Sequence, residues 1–324
     1  MKKRILAMLL CVFLLAGCGS TQTDNGTTEA DLDLFNTAAG FPYTFEDATG
    51  TSVTVEEKPQ TVAVLLSSLA QVWTIAGGTV SITVGETVER GIVEDTVILV
   101  DDGAGKTINM EILLEAEPDL VIYSTELAGQ VECAETLRSV GIPAAGFRVD
   151  TFDEYLDMLM ICTKLTERPE RYDLYGAVFR LKVNTYLDLA DREKEKPTVL
   201  FVRAGSSAKY TKAKTAENNF VCIMLQELGA INVADAAPIL LDGLSTEEIL
   251  LADPDIIMFT TMGEEEAGVA YMQSVLEDPA LSTLTAVQEG RIYQLPKDLF
   301  QYKPNSRWGD AYEYLFDLLY GKAS

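Results

Sequence analysis

A fifteen-residue pattern occurs twice in this chain. Glu111–Thr125 reads Glu-Ile-Leu-Leu-Glu-Ala-Glu-Pro-Asp-Leu-Val-Ile-Tyr-Ser-Thr, and Glu247–Thr261 reads Glu-Glu-Ile-Leu-Leu-Ala-Asp-Pro-Asp-Ile-Ile-Met-Phe-Thr-Thr. At a constant offset of 136 positions, Leu114 matches Leu250, Ala116 matches Ala252, Pro118-Asp119 matches Pro254-Asp255, and Thr125 matches Thr261. In each copy a helix must stop at the proline, which has no N–H and crowds the residue before it. The apolar run that follows has the length of a strand and no polar face, as in a parallel sheet covered on both sides. The openings of the two halves also correspond. Thr61–Leu66 is echoed by Thr198–Arg203, and the helix Leu69–Ala76, stopped by Gly77-Gly78, is echoed by Met224–Gly229. Such a chain folds into two similar α/β lobes with mainly parallel sheets. Its 324 residues suffice for two domains of about 150 residues, each with its own core.

Ahead of the first lobe, Tyr43–Val55 alternates on both sides of Thr49-Gly50 and reads as a β-hairpin. Between the lobes, Thr151–Lys196 places Pro169 at a first-turn position and runs with helix-compatible residues to Glu193. About 25 residues at 1.5 Å each make a rod of roughly 37 Å. Tyr172, Tyr175, Phe179, Val183, Tyr186 and Ala190 form one apolar stripe; Leu174, Val178 and Leu181 form another. A helix apolar on two faces is expected to be buried against two partners, and one stiff connection limits the lobes to small relative movement. The expected divisions are 42–165 for the N-terminal lobe, 166–195 for the linking helix and 196–324 for the C-terminal lobe.

The N-terminus supplies an address. Met1-Lys2-Lys3-Arg4 is a basic head, and Ile5–Gly17 is an uncharged apolar stretch, shorter than the roughly 20 residues of a spanning helix. Residues 1–17 thus read as a signal peptide. Leu15-Ala16-Gly17-Cys18 looks like a bacterial lipobox, with Cys18 the lipidated first residue after cleavage. Residues 18–41, rich in Thr, Asp, Asn and Gly, read as a flexible tether. The folded part is expected outside the cytoplasmic membrane, anchored to the bilayer through Cys18.

Composition then removes whole classes of chemistry. The chain has 25 Lys and Arg against 50 Asp and Glu, a net charge of −25, which disfavours any nucleic-acid partner. It has no histidine, so Ser-His-Asp and Cys-His catalysis and histidine-ligated metal sites are excluded. Cys133, Cys162 and Cys222 remain after the signal and Cys18; an odd number without a CxxC spacing reads as free, buried thiols on helices.

The ordered set of lipobox, hairpin, Ser-Leu-Ala helix, Asn109-Met-Glu-Ile-Leu followed by Pro118-Asp-Leu-Val-Ile122, one long linking helix, and a final segment Lys303-Pro-Asn-Ser-Arg-Trp-Gly-Asp-Ala-Tyr312 resembles the helical-backbone class of ABC-transporter substrate-binding proteins. The resemblance covers about residues 43–322. It implies a periplasmic-binding-protein fold, a monomer that hydrolyses nothing and carries no cofactor, and a ligand drawn from ferric siderophores, haem or cobalamin. It also implies partners: an ABC permease dimer with its ATPase. A glutamate on each lobe, in the helix ahead of the Pro-Asp turn, would dock onto permease arginines; those positions match Glu111 and Glu247, each seven residues before its proline. Acids related by the repeat suit a two-fold partner.

In open α/β sheets ligands bind beyond the C-terminal strand ends. In the first lobe that points to Ser67 and Ser68, to Gly85–Arg90 with its cation Arg90, to Gly103–Lys106 with Lys106, and to Tyr123–Glu126 with Tyr123. Gly103-Ala-Gly-Lys106 lacks Walker spacing and is not a phosphate loop. In the second lobe Arg203–Lys214 carries Arg203, Lys209, Lys212 and Lys214 with Tyr210, and no acid before Glu217. That local reversal of sign is a candidate site for an anionic ligand. Lys297–Lys303 adds Lys303 and the rings of Phe300 and Tyr302, either of which could stack on a flat ligand, whereas Trp73 and Trp308 read as core. An anionic metal chelate, first a ferric siderophore, fits such a cleft. Cobalamin or haem is the alternative, the latter through a Tyr or Met in the absence of histidine. A chelatase-type enzyme on the same fold would need paired carboxylates, yet Glu264-Glu-Glu266 reads as solvated surface.

Overall fold

The computed structural model describes residues 40–321, residue 104 excepted. The signal 1–17, Cys18 and nearly all of the tether 18–41 lie outside the described residues. The hairpin forms as β1 (Tyr43–Glu46) and β2 (Ser52–Val55), antiparallel with Tyr43 opposite Val55. Its turn is organised by Asp47, whose Oδ1 accepts from the Thr49 and Thr51 amides at 2.9 and 3.1 Å.

The first lobe is a parallel sheet of five strands in the order β5-β4-β3-β6-β7: β3 (Val62–Val64), β4 (Ile82–Thr83), β5 (Ile98–Leu99), β6 (Leu120–Ser124) and β7 (Ala144–Phe147). The second lobe is built on β8 (Thr198–Ala204), β9 (Lys212–Ala213), β10 (Ile231–Asn232), β11 (Ile256–Thr261) and β12 (Ile292–Gln294). Its parallel order is β10-β8-β11-β12, with β9 antiparallel on β8. Both sheets have strands whose residues are buried on every side, as the unbroken apolar runs required.

The repeat is deeper than residue identity. Each helix before the Pro-Asp turn ends in a left-handed residue, Glu117 at φ 45° and Asp253 at φ 38°, and these two are equivalent at the same offset. Each aspartate then ties down the start of the neighbouring strand. Asp119 Oδ2 accepts from the Gln60 and Thr61 amides, both at 2.8 Å; Asp255 Oδ2 accepts from the Thr198 amide and hydroxyl, both at 2.7 Å. The Pro-Asp turn therefore sets the alignment of the two central strands in each lobe.

The linking segment runs from Glu170 to Arg192 behind both lobes, with a π-helical turn at Asp173–Ala177. Gly176 in that turn lies against the helix Phe152–Leu165, where an added Cβ would sit 2.8 Å from Leu156. The stripe Tyr172 to Ala190 is turned inward. Tyr186 packs against Phe316 with the rings tilted and their centres 5.5 Å apart, and Lys182 bridges Asp310 and Glu313, each at 2.7 Å. The second stripe corrects the expectation of two partners: Leu174, Val178 and Leu181 are 57%, 64% and 75% exposed. The helix lies on the outer surface, so only one of its faces meets protein.

The cores also depart from the simple picture of one per lobe. The outer face of each sheet has its own cluster, around Leu65, Ile82 and Val121 in the first lobe and around Leu200, Val202 and Phe259 in the second. The remaining faces share one continuous cluster that includes Phe152, Val183, Phe201, Phe220 and Trp308. Trp308 is its keystone between lobes, 6.4 Å from Phe152 and 6.1 Å from Phe220, ring centre to ring centre. Cys133, Cys162 and Cys222 are free and buried on helices, and burial raises the pKa of all three thiols. No described helix is long and apolar enough to cross a membrane.

Candidate functional site

The loops at the C-terminal strand ends of the two lobes meet. In the first lobe they are fixed by one buried amide. Gln130 donates to the carbonyls of Leu65 and Gly105 at 2.6 and 2.8 Å and accepts from the Ser124 amide at 2.8 Å, so the chain after β3, the Gly103–Lys106 loop and the end of β6 are tied to a single side chain. Gly105 is required there: at φ +72°, a Cβ would lie 2.4 Å from the Leu65 carbonyl oxygen. Lys106 beside it is exposed.

Ser67 and Ser68 begin the helix Ser67–Ile75, which starts earlier than its apolar pattern indicates. Both are buried and face Arg90, whose Nη1 donates to their hydroxyls at 2.8 and 3.3 Å, while Nη2 reaches Gln71 at 3.4 Å. Ser67 in turn donates to Glu86. The Arg90 guanidinium lies 3.9 Å from the ring centre of Tyr302, in the other lobe. Burial lowers the Arg90 pKa, while Glu86 and Tyr302 push it back up. Asn305 completes this contact from the second lobe, donating to the Ser68 carbonyl at 3.0 Å and to Gln71 at 2.8 Å. Ser67, Ser68, Arg90 and Tyr302 are thus brought together as an interlobe clasp; one face of Tyr302 is covered by Arg90.

Lys303 forms a second clasp. Its ammonium contacts Asp150 and lies 4.6 Å from the Phe220 ring centre, with Glu126 at 4.0 Å. Arg148 reaches the other Asp150 oxygen at 2.8 Å. Burial pushes the Asp150 carboxyl up, but Lys303 and Arg148 together hold it below the usual carboxylate range. Glu126 goes the other way, raised by burial against the pull of Lys303.

Two expectations are corrected. Tyr123 is buried on β6, in the outer core of the first lobe, where its hydroxyl accepts from Arg138 at 3.2 Å; it does not line a cleft. Phe300 is buried against Tyr314 and offers no stacking face. Trp73 and Trp308 are core, as expected, and Glu264, Glu265 and Glu266 are exposed.

In the second lobe the basic segment is a hairpin excursion, not an open loop. After β8 the chain turns at Gly205, where a Cβ would meet that of Tyr210 at 2.4 Å, and returns as β9. Buried Thr211 closes the turn, its hydroxyl bonded to the Gly205 amide and carbonyl at 3.1 Å. Lys209 and Tyr210 project at the exposed tip. Arg203 and Lys212 are directly opposite across the β8–β9 pair, and the Lys214 amide pairs with the Phe201 carbonyl at 3.1 Å. Among the described residues no carboxylate pairs with Arg203, Lys212 or Lys214. Burial lowers the Arg203 pKa with no acid to oppose it; burial lowers that of Lys214 too, and Arg203 and Lys212 lower it further. Sequence reasoning found these cations but missed Gln301 and Thr260 beside them, which carry no charge to mark them.

Glu111 and Glu247 occupy the same place in their lobes: the second residue of the helices Met110–Glu115 and Thr246–Ala252, exposed, after the caps Asn109 and Ser245.

The family model described as "Periplasmic binding protein" matches residues 62–299. Over 315 residues the chain is 23% identical to YvrC, an uncharacterized ABC transporter substrate-binding lipoprotein of Bacillus subtilis, covering 92% of each chain. It is 25% identical over 297 residues to a cobalamin-binding protein of Halobacterium salinarum, covering 89% of this chain and 76% of that one. The solved apo structure of the periplasmic heme-binding protein RhuT from Roseiflexus has a TM-score of 0.65 at 22% identity, covering 81% of this chain and 98% of the other; that likeness speaks for the fold.

Proposed function

This chain belongs to the periplasmic binding protein family, and from that premise we propose that it is the lipid-anchored receptor of an ABC importer, holding an anionic metal chelate between its lobes. It is a solute-binding protein and not an enzyme. The observation that carries the ligand reading is the unpaired positive charge of Arg203, Lys212 and Lys214 in a chain of net charge −25. Three cations on one sheet face repel one another and cost stability, and an anion relieves that cost. A ferric siderophore is the first candidate. Cobalamin is a second reading, favoured by the name of the halobacterial relative.

Glu111 and Glu247 are the proposed contacts to the permease, one per lobe in equivalent positions. Cys18 is the proposed anchor, and Cys18→Ser should release the protein into the soluble fraction. The shared core and the single linking helix favour capture with little relative movement of the lobes.

The test is a fluorescence titration of the purified protein with ferric catecholates, ferric hydroxamates, haemin and cyanocobalamin in parallel. Saturable sub-micromolar quenching by an iron complex supports the reading; response to cyanocobalamin alone selects the second. The docking role has its own assay. Glu111→Arg with Glu247→Arg should abolish uptake by cells while binding persists, and unimpaired uptake removes it.

A further inference from the structure

We infer that Lys212, Arg203 and Thr260, side by side across three strands, form a carboxylate-binding subsite, so that the ligand proposed above carries a free carboxylate. The inference rests on that receptor reading and names the chemical group that the second lobe grips.

The placement follows from register. Lys212 on β9 is paired with Arg203 on β8, and Arg203 with Thr260 on β11. Paired residues share a sheet face, so the three side chains form one row at the C-terminal strand ends, on the face that also carries Phe201 and Met258 of the shared core. Lys214, two residues beyond Lys212, adds its charge from the same face. Within this row Arg203 Nε and Thr260 Oγ1 are buried with no hydrogen-bond partner among the described residues. Thr260 is 1% exposed, so its hydroxyl has given up water without gaining a partner among the described residues, which costs stability.

Gln301 limits what can fill the row. With its amide oriented to satisfy both ends, its oxygen accepts from Arg203 Nη2 at 3.1 Å and its nitrogen donates to the Thr261 carbonyl at 3.3 Å. That holds the guanidinium plane and leaves Nε–H as a buried donor with no partner among the described residues. The group that completes the row must accept from a guanidinium N–H, an ammonium and a hydroxyl at once, and must bring negative charge. A carboxylate does so with two oxygens in one plane. Catecholate oxygens are committed to the metal, and neither ferrioxamine B nor cyanocobalamin has a carboxylate to offer. Two ligand sources share the chemistry: a ferric hydroxycarboxylate complex, or the propionate arms of a porphyrin.

The experiment titrates the purified full chain and its Arg203→Gln and Thr260→Val variants with four probes: ferric citrate, haemin, ferrioxamine B and cyanocobalamin. Melting temperature is recorded for each protein. Binding of ferric citrate or haemin, weakened about 30-fold by R203Q and several-fold by T260V, supports the subsite and tells its two sources apart. T260V separates this role from a structural one, because removing an unsatisfied buried hydroxyl should raise the melting temperature while lowering affinity. Binding of ferrioxamine B or cyanocobalamin that R203Q leaves intact overturns the carboxylate subsite and keeps the receptor reading. Carboxylate ligands bound equally well by all three proteins overturn the subsite alone. Silence from all four probes overturns the subsite, and silence from the ferric catecholates as well overturns the receptor reading with it.

Discussion

The first lobe satisfies the polar groups it buries, whereas the second leaves several of its own unmet. Gln130, Ser67, Arg90 and Asp101 all lie at strand ends of the first lobe and are fully engaged. Among the described residues, the buried side-chain atoms without a partner are Arg203 Nε, Thr260 Oγ1, Asn305 Oδ1 and Trp308 Nε1, all in the second half of the chain. The repeat makes the contrast sharper. Ser124 and Thr260 are equivalent, yet the Ser124 hydroxyl accepts from the Glu126 amide at 3.2 Å and that of Thr260 bonds to nothing. Leu66 and Arg203 also correspond; after the first the chain enters a helix at once, after the second it makes a hairpin lined with lysines. A common unit has therefore been completed internally in one lobe and left open in the other, which is where a ligand can contribute most.

That comparison can be broken by mutation. The largest effect is expected at the interlobe joint itself: Trp308→Ala should cost about 4 kcal/mol in chemical denaturation, because a fully buried indole is lost from the cluster both lobes share. Gln130→Ala comes next, at about 3 kcal/mol, since three buried backbone groups lose one partner. The corresponding truncation in the open lobe should behave differently. Arg203→Met is expected to be neutral or to stabilise the ligand-free protein by up to about 1 kcal/mol, as it removes a partly buried charge that has no counter-ion. A loss above about 2 kcal/mol there would show that Arg203 is already satisfied, and the contrast between lobes would fail.

The smallest effect concerns pH. Asp150 is held below the usual carboxylate range by Lys303 and Arg148 against the opposing effect of burial. A depressed pKa contributes stability above the unfolded value, about 3.9, and loses it as pH falls through the folded one. The clasp should therefore weaken below about pH 4. Glu126, with its raised pKa, acts in the opposite sense and protonates earlier on acidification. Stability curves of wild type and Asp150→Asn between pH 3 and 7 should converge at the acid end; parallel curves would remove Asp150 from the account.

Much of the architecture was legible because its causes are local. A proline stops a helix wherever the chain goes next, and a run such as Leu120–Ser124 has no polar face to expose. Side-chain direction was harder. In a strand buried on both sides no alternation marks which residues look toward the cleft, and Tyr123, at the end of such a strand, faces the outer core instead. The apolar stripe of Leu174, Val178 and Leu181 identified a helix face but not a neighbour for it. At the candidate site the sequence showed the cations and their distance from any acid along the chain. It gave no sign that Lys303 would be met by Asp150, 153 positions away, while Lys212 would be met by no acid among the described residues.

Sequence alone determined the repeated unit, the turn that aligns its strands, the buried cysteines and the family. Tertiary structure decided which charges are paired and which remain open. Helix stops and strand burial depend on residues within a few positions, but the partner of a lysine depends on which distant acid the folded chain brings within about 4 Å.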